Sequence, residues 1–153
     1  MYKIKPRIKD IDSSLHEKEV SIFYNKHANT NLKLIKSKHG SKGQCFNYAT
    51  KNFKLDDCED CLDYIEMRYT EIDLEVLKID DIAIFFDRAN DSITNKPTAH
   101  TVQHFGIISY TDNTLNGTKI KSKWGKEGIF EGNLADLPDF YGERVCFYRK
   151  KGL

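Results

Sequence analysis

Cys45 stands in the run GSKGQCFNYATKNF, Gly40 to Phe53, between a glycine-containing stretch and what reads as the start of a helix. A thiol there can pack in a core, hold a metal or attack a carbonyl. Three features favour attack. A helix N-terminus carries unpaired backbone N–H groups that stabilise a thiolate. Gln44 supplies an amide able to face a developing oxyanion, and Gly43 lets the chain approach closely. A buried structural cysteine explains the same residue without chemistry.

An attacking thiol needs a base, and His104 is the best placed of the histidines. It precedes the apolar run FGIISY directly, so a strand can hold its backbone while the ring faces a cleft. His16, His27 and His39 fall in the helical or loop-rich front of the chain, and His100 has no comparable support. A third group should orient the imidazole through its other nitrogen. Ser122, Glu131, Asn133 and Asp112 are all candidates, and the residues alone do not choose among them.

Cys58 and Cys61 form CEDC, half the outline of a zinc site or a redox pair. No second pair stands at ligand spacing, and the flanking acids oppose a lowered thiol pKa. Two unlinked thiols on one helix is the simpler reading. Cys146, inside ERVCFY, reads as core. No metal site, cofactor motif or phosphate-binding loop is expected.

The elements that must position these groups fall into two blocks. Asp10 to Ser14 can cap a helix running to about His27, and Leu32 to Ile35 can form a short extended piece. Phe46, Ala49 and Phe53 recur at helical spacing, which predicts a short buried helix opened by Cys45. Asp56 and Asp57 can cap a further helix running toward Tyr69. Strands follow: IAIFF, FGIISY, TKIKSKW and ERVCFY, with Asn116-Gly117 turning a hairpin and Glu131 and Asn133 in a loop after it. Arg88 to Gln103 reads as a long surface loop. Helices first and an antiparallel sheet second is the α+β pattern.

These residues carry a resemblance. QCFNYA, DDIAIFF, QHFGIISY, SKWGKEGIFEGN and FYGERVCFYRK, in that order over roughly residues 43–150, resemble the papain-like fold in its NlpC/P60 form. The resemblance implies N-terminal helices, one carrying the nucleophile, packed on an antiparallel sheet whose second core strand begins with the base. It implies Cys45 as nucleophile and His104 as base, in a family of cysteine peptidases and amidases that includes toxins, deamidases and acyl-transfer enzymes. Relatives of this form tend to have a histidine after the acidic residue of the SKWG segment; here Gly132 follows Glu131, a departure that leaves the third position, for which Glu131 and Ser122 are put forward, open and keeps a weakened enzyme or a non-catalytic descendant in play.

At 153 residues the chain fits a single domain, with 1–39 as an N-terminal helical and loop extension to the core. Charged residues make up 31%, and 24 Lys and Arg against 23 Asp and Glu leave a net +1, which gives no long-range bias toward nucleic acid. Nothing approaches the roughly twenty apolar residues of a membrane span, and no secretory signal is visible. A cytoplasmic protein, or one exported without a cleaved signal, is expected.

Two functions follow. The first is a cysteine hydrolase that cleaves a peptide or isopeptide amide through an acyl-enzyme, on a peptide, peptidoglycan-derived or protein substrate. Gln44 would serve the oxyanion, and Tyr48, Trp124 and Asn133 would line the cleft. The second is a catalytically inactive papain-like module that binds a protein partner. The distance between Cys45 and His104 separates them.

Overall fold

The computed structural model describes residues 1–9, 14–36, 44–55, 57–87, 95–124 and 128–152. Residues 10–13 of the expected Asp10 to Ser14 cap, His39, Gly40, Gly43, Asp56, residues 88–94 of the Arg88 to Gln103 stretch and Gly125 lie outside them, as does the side chain of Cys58.

Eight strands form one sheet, with β1 Tyr2–Lys3, β2 Lys33–Lys36, β3 Tyr69–Ile72, β4 Ile82–Phe86, β5 Val102–Thr111, β6 Thr118–Lys123, β7 Ile129–Asn133 and β8 Arg144–Lys150. Their order is β1-β8-β4-β5-β6-β7-β2, and every pairing is antiparallel. β3 also pairs with β8: β1 and β3 lie end to end along one edge of it, facing Arg144–Val145 and Phe147–Lys150. IAIFF is the interior strand β4, between β8 and β5 and buried at all five positions. A strand buried on both faces needs apolar residues at consecutive positions, and this run supplies them. Together with three helices this is an α+β fold.

Among the described residues three helices cover the two faces. α1, Glu17–His27, lays Val20 and Tyr24 on the face that carries Ala83, Phe85, Ile108, Ile120, Phe130, Val145 and Phe147. Its acids Glu17 and Glu19 sit in the first turn and Lys26 and His27 in the last, matching the helix dipole. His16 caps it, its Nδ1 accepting from the Lys18 N–H, so the cap falls later than Asp10 to Ser14. α2, Cys45–Thr50, and α3, Cys58–Arg68, take the other face, where Phe46, Ala49, Cys61 and Ile65 pack with Ile82, Ile84 and Phe105. Asp57 caps α3, its carboxylate accepting from the N–H groups of Glu59 and Asp60.

α2 is shorter than its apolar spacing predicts. Lys51 takes a left-handed conformation at φ 60°, and the chain leaves the helix before Phe53, which is 57% exposed. Asn47 fixes this exit: its Nδ2 donates to the carbonyls of Asn52 and Leu55, while its Oδ1 accepts from Gln44 N–H. Three of its four side-chain hydrogen-bonding positions are thereby spent on the turn.

The described residues among 1–36 contribute to both the sheet and the core. β1 and β2 stand at its two ends, Ile8 bridges Pro138, and Ile8, Val20, Tyr24 and Leu32 belong to the main core. Asp136 ties them down. Its side chain is fully buried and accepts from Arg7 Nη1 at 2.7 Å and from the N–H groups of Asn31 and Asn133, each at 3.0 Å. At the far end of the sheet Arg149 grips the buried Asp81 through two nitrogens, at 2.9 and 2.7 Å. Gly142 (φ +103°) lies where a Cβ would meet the Phe86 carbonyl at 2.7 Å, so only glycine fits beneath β4.

Replacing Asp136 with Ala strands two backbone donors and a guanidinium, so it costs about 3 kcal/mol in urea unfolding. Asp136→Asn, which keeps an acceptor, falls between Ala and wild type. A loss below about 1 kcal/mol for Asp136→Ala would show that the carboxylate does not organise the N-terminal segment.

Candidate functional site

A strand sends successive side chains to opposite faces, and this decides the site. On β5, Phe105 points to the α2 face, where its ring meets Phe46 at 5.2 Å. His104 therefore points to the α1 face. There its ring stacks on Tyr141 at 3.8 Å, the planes 11° apart, and leans on Phe85, its partner across the β4–β5 ladder, at 5.8 Å. Cys45 packs against the Phe105 cluster. The thiol and the imidazole sit at the same end of the sheet with the sheet between them.

The same alternation divides the other candidates. Gly106 and Ser122 share the α1 face, since a Cβ at 106 would meet that of Ser122 at 3.4 Å. Trp124 joins them, its ring 4.7 Å from Phe130 and the residue 2% exposed, so it is core rather than the wall of a cleft. Glu131 and Asn133 lie on β7 instead of in a loop, paired with Lys121 and Lys119. Glu131 reaches the α2 side, where its charge, after burial, helps hold the Tyr48 phenol above its ordinary pKa. Asp112 is in the β5–β6 turn, where its carboxylate accepts from the N–H and hydroxyl of Thr114, which holds its pKa low. The structure thus groups His104, Ser122 and Trp124 on one face, and Gln44, Cys45, Tyr48, Glu131 and Asn133 on the other.

His104 is wholly buried, and neither ring nitrogen has a hydrogen-bond partner among the described residues. Burial alone pushes its pKa down to about 3, so the ring is neutral at physiological pH and a feeble base. Ser122 Oγ and Trp124 Nε1 are likewise buried without partners. Unpaired polar atoms of this kind are costly and cluster where a structure holds water or stores strain.

Cys45 opens a small cleft of about 100 Å³, also lined by Gln44, Asn47, Cys61, Leu55 and Gln103. The thiol is half-buried, and Gln44 beside it is exposed. Two residues here escaped the sequence reading. Gln103 is the extra residue of a bulge, since Phe85 pairs with His104 and Phe86 with Val102. Counting back by two from Phe105 would have placed it on the thiol's face. Cys61 enters through the α3 face it shares with Ile65. Among the described lining residues the polar groups are amides and thiols, with no histidine or carboxylate to take a proton.

Beyond α2 the same face carries lysines across three strands. Lys33 pairs with Glu131 and Glu131 with Lys121; Lys36 pairs with Ile129 and Ile129 with Lys123; Asn133 pairs with Lys119, and Lys119 with Tyr110. Cross-strand partners share a face, so Lys33, Lys36, Lys119, Lys121 and Lys123 stand together with Glu131 as the one acid in these rows. Lys33, Lys36 and Tyr110 are exposed. No described helix is long and apolar enough to cross a membrane. No known family, curated protein or solved structure matches the chain.

The buried imidazole makes folding pH-dependent with a definite sign. The unfolded chain takes a proton on His104 near pH 6.5, while the folded chain resists until about 3. The stability this neutral ring contributes is complete above pH 6.5 and declines by about 1.4 kcal/mol per pH unit below it. His104→Phe should flatten the wild-type slope in urea unfolding between about pH 7 and 5; parallel slopes would mean a ring that protonates freely in the fold. Ser122→Ala, which removes an unpartnered hydroxyl, should leave stability within about 0.5 kcal/mol of wild type or raise it, and a loss above about 1 kcal/mol would reveal a bound water.

Proposed function

We propose that this chain is a catalytically inactive module, papain-like in its order of motifs, that binds an acidic segment of a protein partner on its lysine-bearing sheet face. The observation that carries the reading is the separation of Cys45 from His104 by the sheet. A thiol attack needs a base within hydrogen-bond reach, and the imidazole in question is neutral, sealed beneath Tyr141 and turned away.

The face that holds the thiol offers charge instead. Four lysines on adjacent strands, Lys33, Lys36, Lys119 and Lys121, oppose a single glutamate, with Tyr48 and Tyr110 beside them, while Lys123 of the same row is buried. Carboxylates of a partner would find amine donors at strand spacing, and the tyrosines would supply flat contact area. The order of Cys45, IAIFF, QHFGIISY, SKWG and YG supports descent from the NlpC/P60 form, in which such a cleft is catalytic.

A cysteine hydrolase is the second reading, favoured by one feature: Cys45 is half-buried at the mouth of a cleft with Gln44 and Gln103 beside it. In that reading the acyl-enzyme forms on Cys45, and its base comes from a different arrangement of the start of β5.

Two measurements separate the readings. A fluorescent Asp- and Glu-rich peptide should bind at low salt and weaken as salt rises. Lys119→Glu with Lys121→Glu should weaken it at least about tenfold, while Lys18→Glu on α1 leaves it unchanged. Absence of binding, or tighter binding of a single-stranded oligonucleotide, would sink the proposal. Iodoacetamide labelling of Cys45 should follow an ordinary thiol titration that His104→Phe does not move; an acid-shifted reactivity lost in that variant would restore the hydrolase.

A further inference from the structure

We infer that the lysine-bearing face continues into an apolar anchor pocket, so that the segment it takes is acidic and also carries one bulky aliphatic side chain a few residues from its carboxylates. This deepens the binding reading proposed above and rests on it. The pocket is a cavity of about 490 Å³ at the C-terminal end of α2, lined by Ala49, Tyr69, Ile82 and Ile107 and, at its rim, by Lys51, Lys78 and Lys150. Ala49, Tyr69 and Ile82 are buried, whereas the three lysines are exposed. A site that is apolar below and charged at the mouth takes an apolar group and orients it through the charges around it. Of the two acids in the lining, Asp81 is held by Arg149, which leaves Asp80 facing three amines.

The strand ladder makes the pocket and the lysines one surface. Ile82 pairs with Ile107, Ile107 with Lys121, Lys121 with Glu131 and Glu131 with Lys33. Cross-strand partners share a face and adjacent strands lie about 4.8 Å apart, so this row leads from Ile107 to the stem of Lys121 about 5 Å on and to that of Lys33 about 14 Å on. An extended segment laid across the strands advances about 7 Å every two residues. An aliphatic side chain seated over Ile82 and Ile107 therefore brings the side chains two and four positions along within reach of the Lys121 and Lys33 amines, where carboxylates are the matching groups.

The mouth of the pocket is held in place around an exposed isoleucine. Ile79, 59% exposed, stands between Lys78 and Asp80 in the lining. The Lys78 N–H donates to Asp81 Oδ2 at 2.7 Å and the Asp80 N–H to the Ile108 carbonyl at 2.9 Å. Arg149 Nη2 donates to the Val76 carbonyl at 2.6 Å, and Asn113 Nδ2 to the Leu77 carbonyl at 3.0 Å. The turn that presents Ile79 is thus fixed before a partner arrives, so docking orders little that was loose. A single exposed aliphatic is an ordinary surface feature, but one at the mouth of a cavity with an apolar floor supplies the contact that keeps water from an inserted anchor.

Three fluorescent peptides of about ten residues test this on the wild-type protein: one with a leucine followed by aspartates at alternate positions, one with serine in place of that leucine, and one with the leucine but asparagines in place of the aspartates. The first should bind at least about tenfold more tightly than either of the others. Ile79→Ser, at an exposed position, should cut the advantage of leucine over serine at least about threefold and leave the serine peptide unchanged, whereas Lys119→Glu with Lys121→Glu should weaken both aspartate peptides. Photo-leucine in the first peptide should crosslink to residues 49–51, 78–82 or 107 in peptide mass spectrometry, a readout that needs no variant to fold. Equal binding of the leucine and serine peptides, or crosslinks confined to α1, would overturn the inference alone. Failure of both aspartate peptides to bind, or asparagine binding as tightly as aspartate, would overturn it together with the reading on which it rests.

Discussion

The two-residue period of β5 is the constraint from which the rest of the molecule follows. At the centre of an eight-stranded sheet, this strand must satisfy helices on one side and the α1 layer on the other. Phe105 takes the α2 side and meets Phe46; Gly106 and Ile108 belong with the larger core. A register slip that turned His104 toward the thiol would also drive Phe105 out of its cluster, because a one-residue slip exchanges the faces of the whole strand.

The imidazole has consequently been treated as a core residue with two nitrogens to spare. Tyr141 covers it by stacking, a contact that the short 3-10 turn Asp139–Tyr141 supplies just before Gly142 threads past Phe86. The turn, the glycine and the ring form a local unit in which polar atoms face apolar neighbours. Unpaired buried polarity of this sort sets the α1 face apart, while the α2 face carries the accessible sulfur and the charge.

Much of the fold was legible in the chain. Local signals announced α3 through Asp57, the strand β4 through five consecutive apolar residues, and the β5–β6 hairpin through its polar turn, although the positive φ there falls on Asn113 and not on Asn116 or Gly117. Elements held by distant partners were not. β1 has two residues and exists because β8 accepts it; β3 follows α3 without a break; β7 contains Gly132 and reads as loop until β2 and β6 flank it. For the site, residue types were readable but facing was not. Helical spacing located Cys45, and strand spacing located His104, yet neither period says which face of the sheet a helix will choose. That choice rests on Phe46 and Ala49 finding Ile84 and Phe105, a contact between segments far apart in sequence.

The pairing of Tyr2 with Val145 has a bearing on how the chain is made. β1 docks on β8, which is made much later, and the apolar strand β4 also awaits β8. During synthesis IAIFF can pair only with β5 on one side, its other edge bare until residues 144–150 have emerged. Sheets closed by such distant pairings fold slowly, and a bare, wholly apolar strand invites partners from other chains in the meantime. The lysines that crowd β2 and β6 charge the opposite wing of the sheet throughout this interval, so the nascent molecule has one sticky flank and one that repels its own kind.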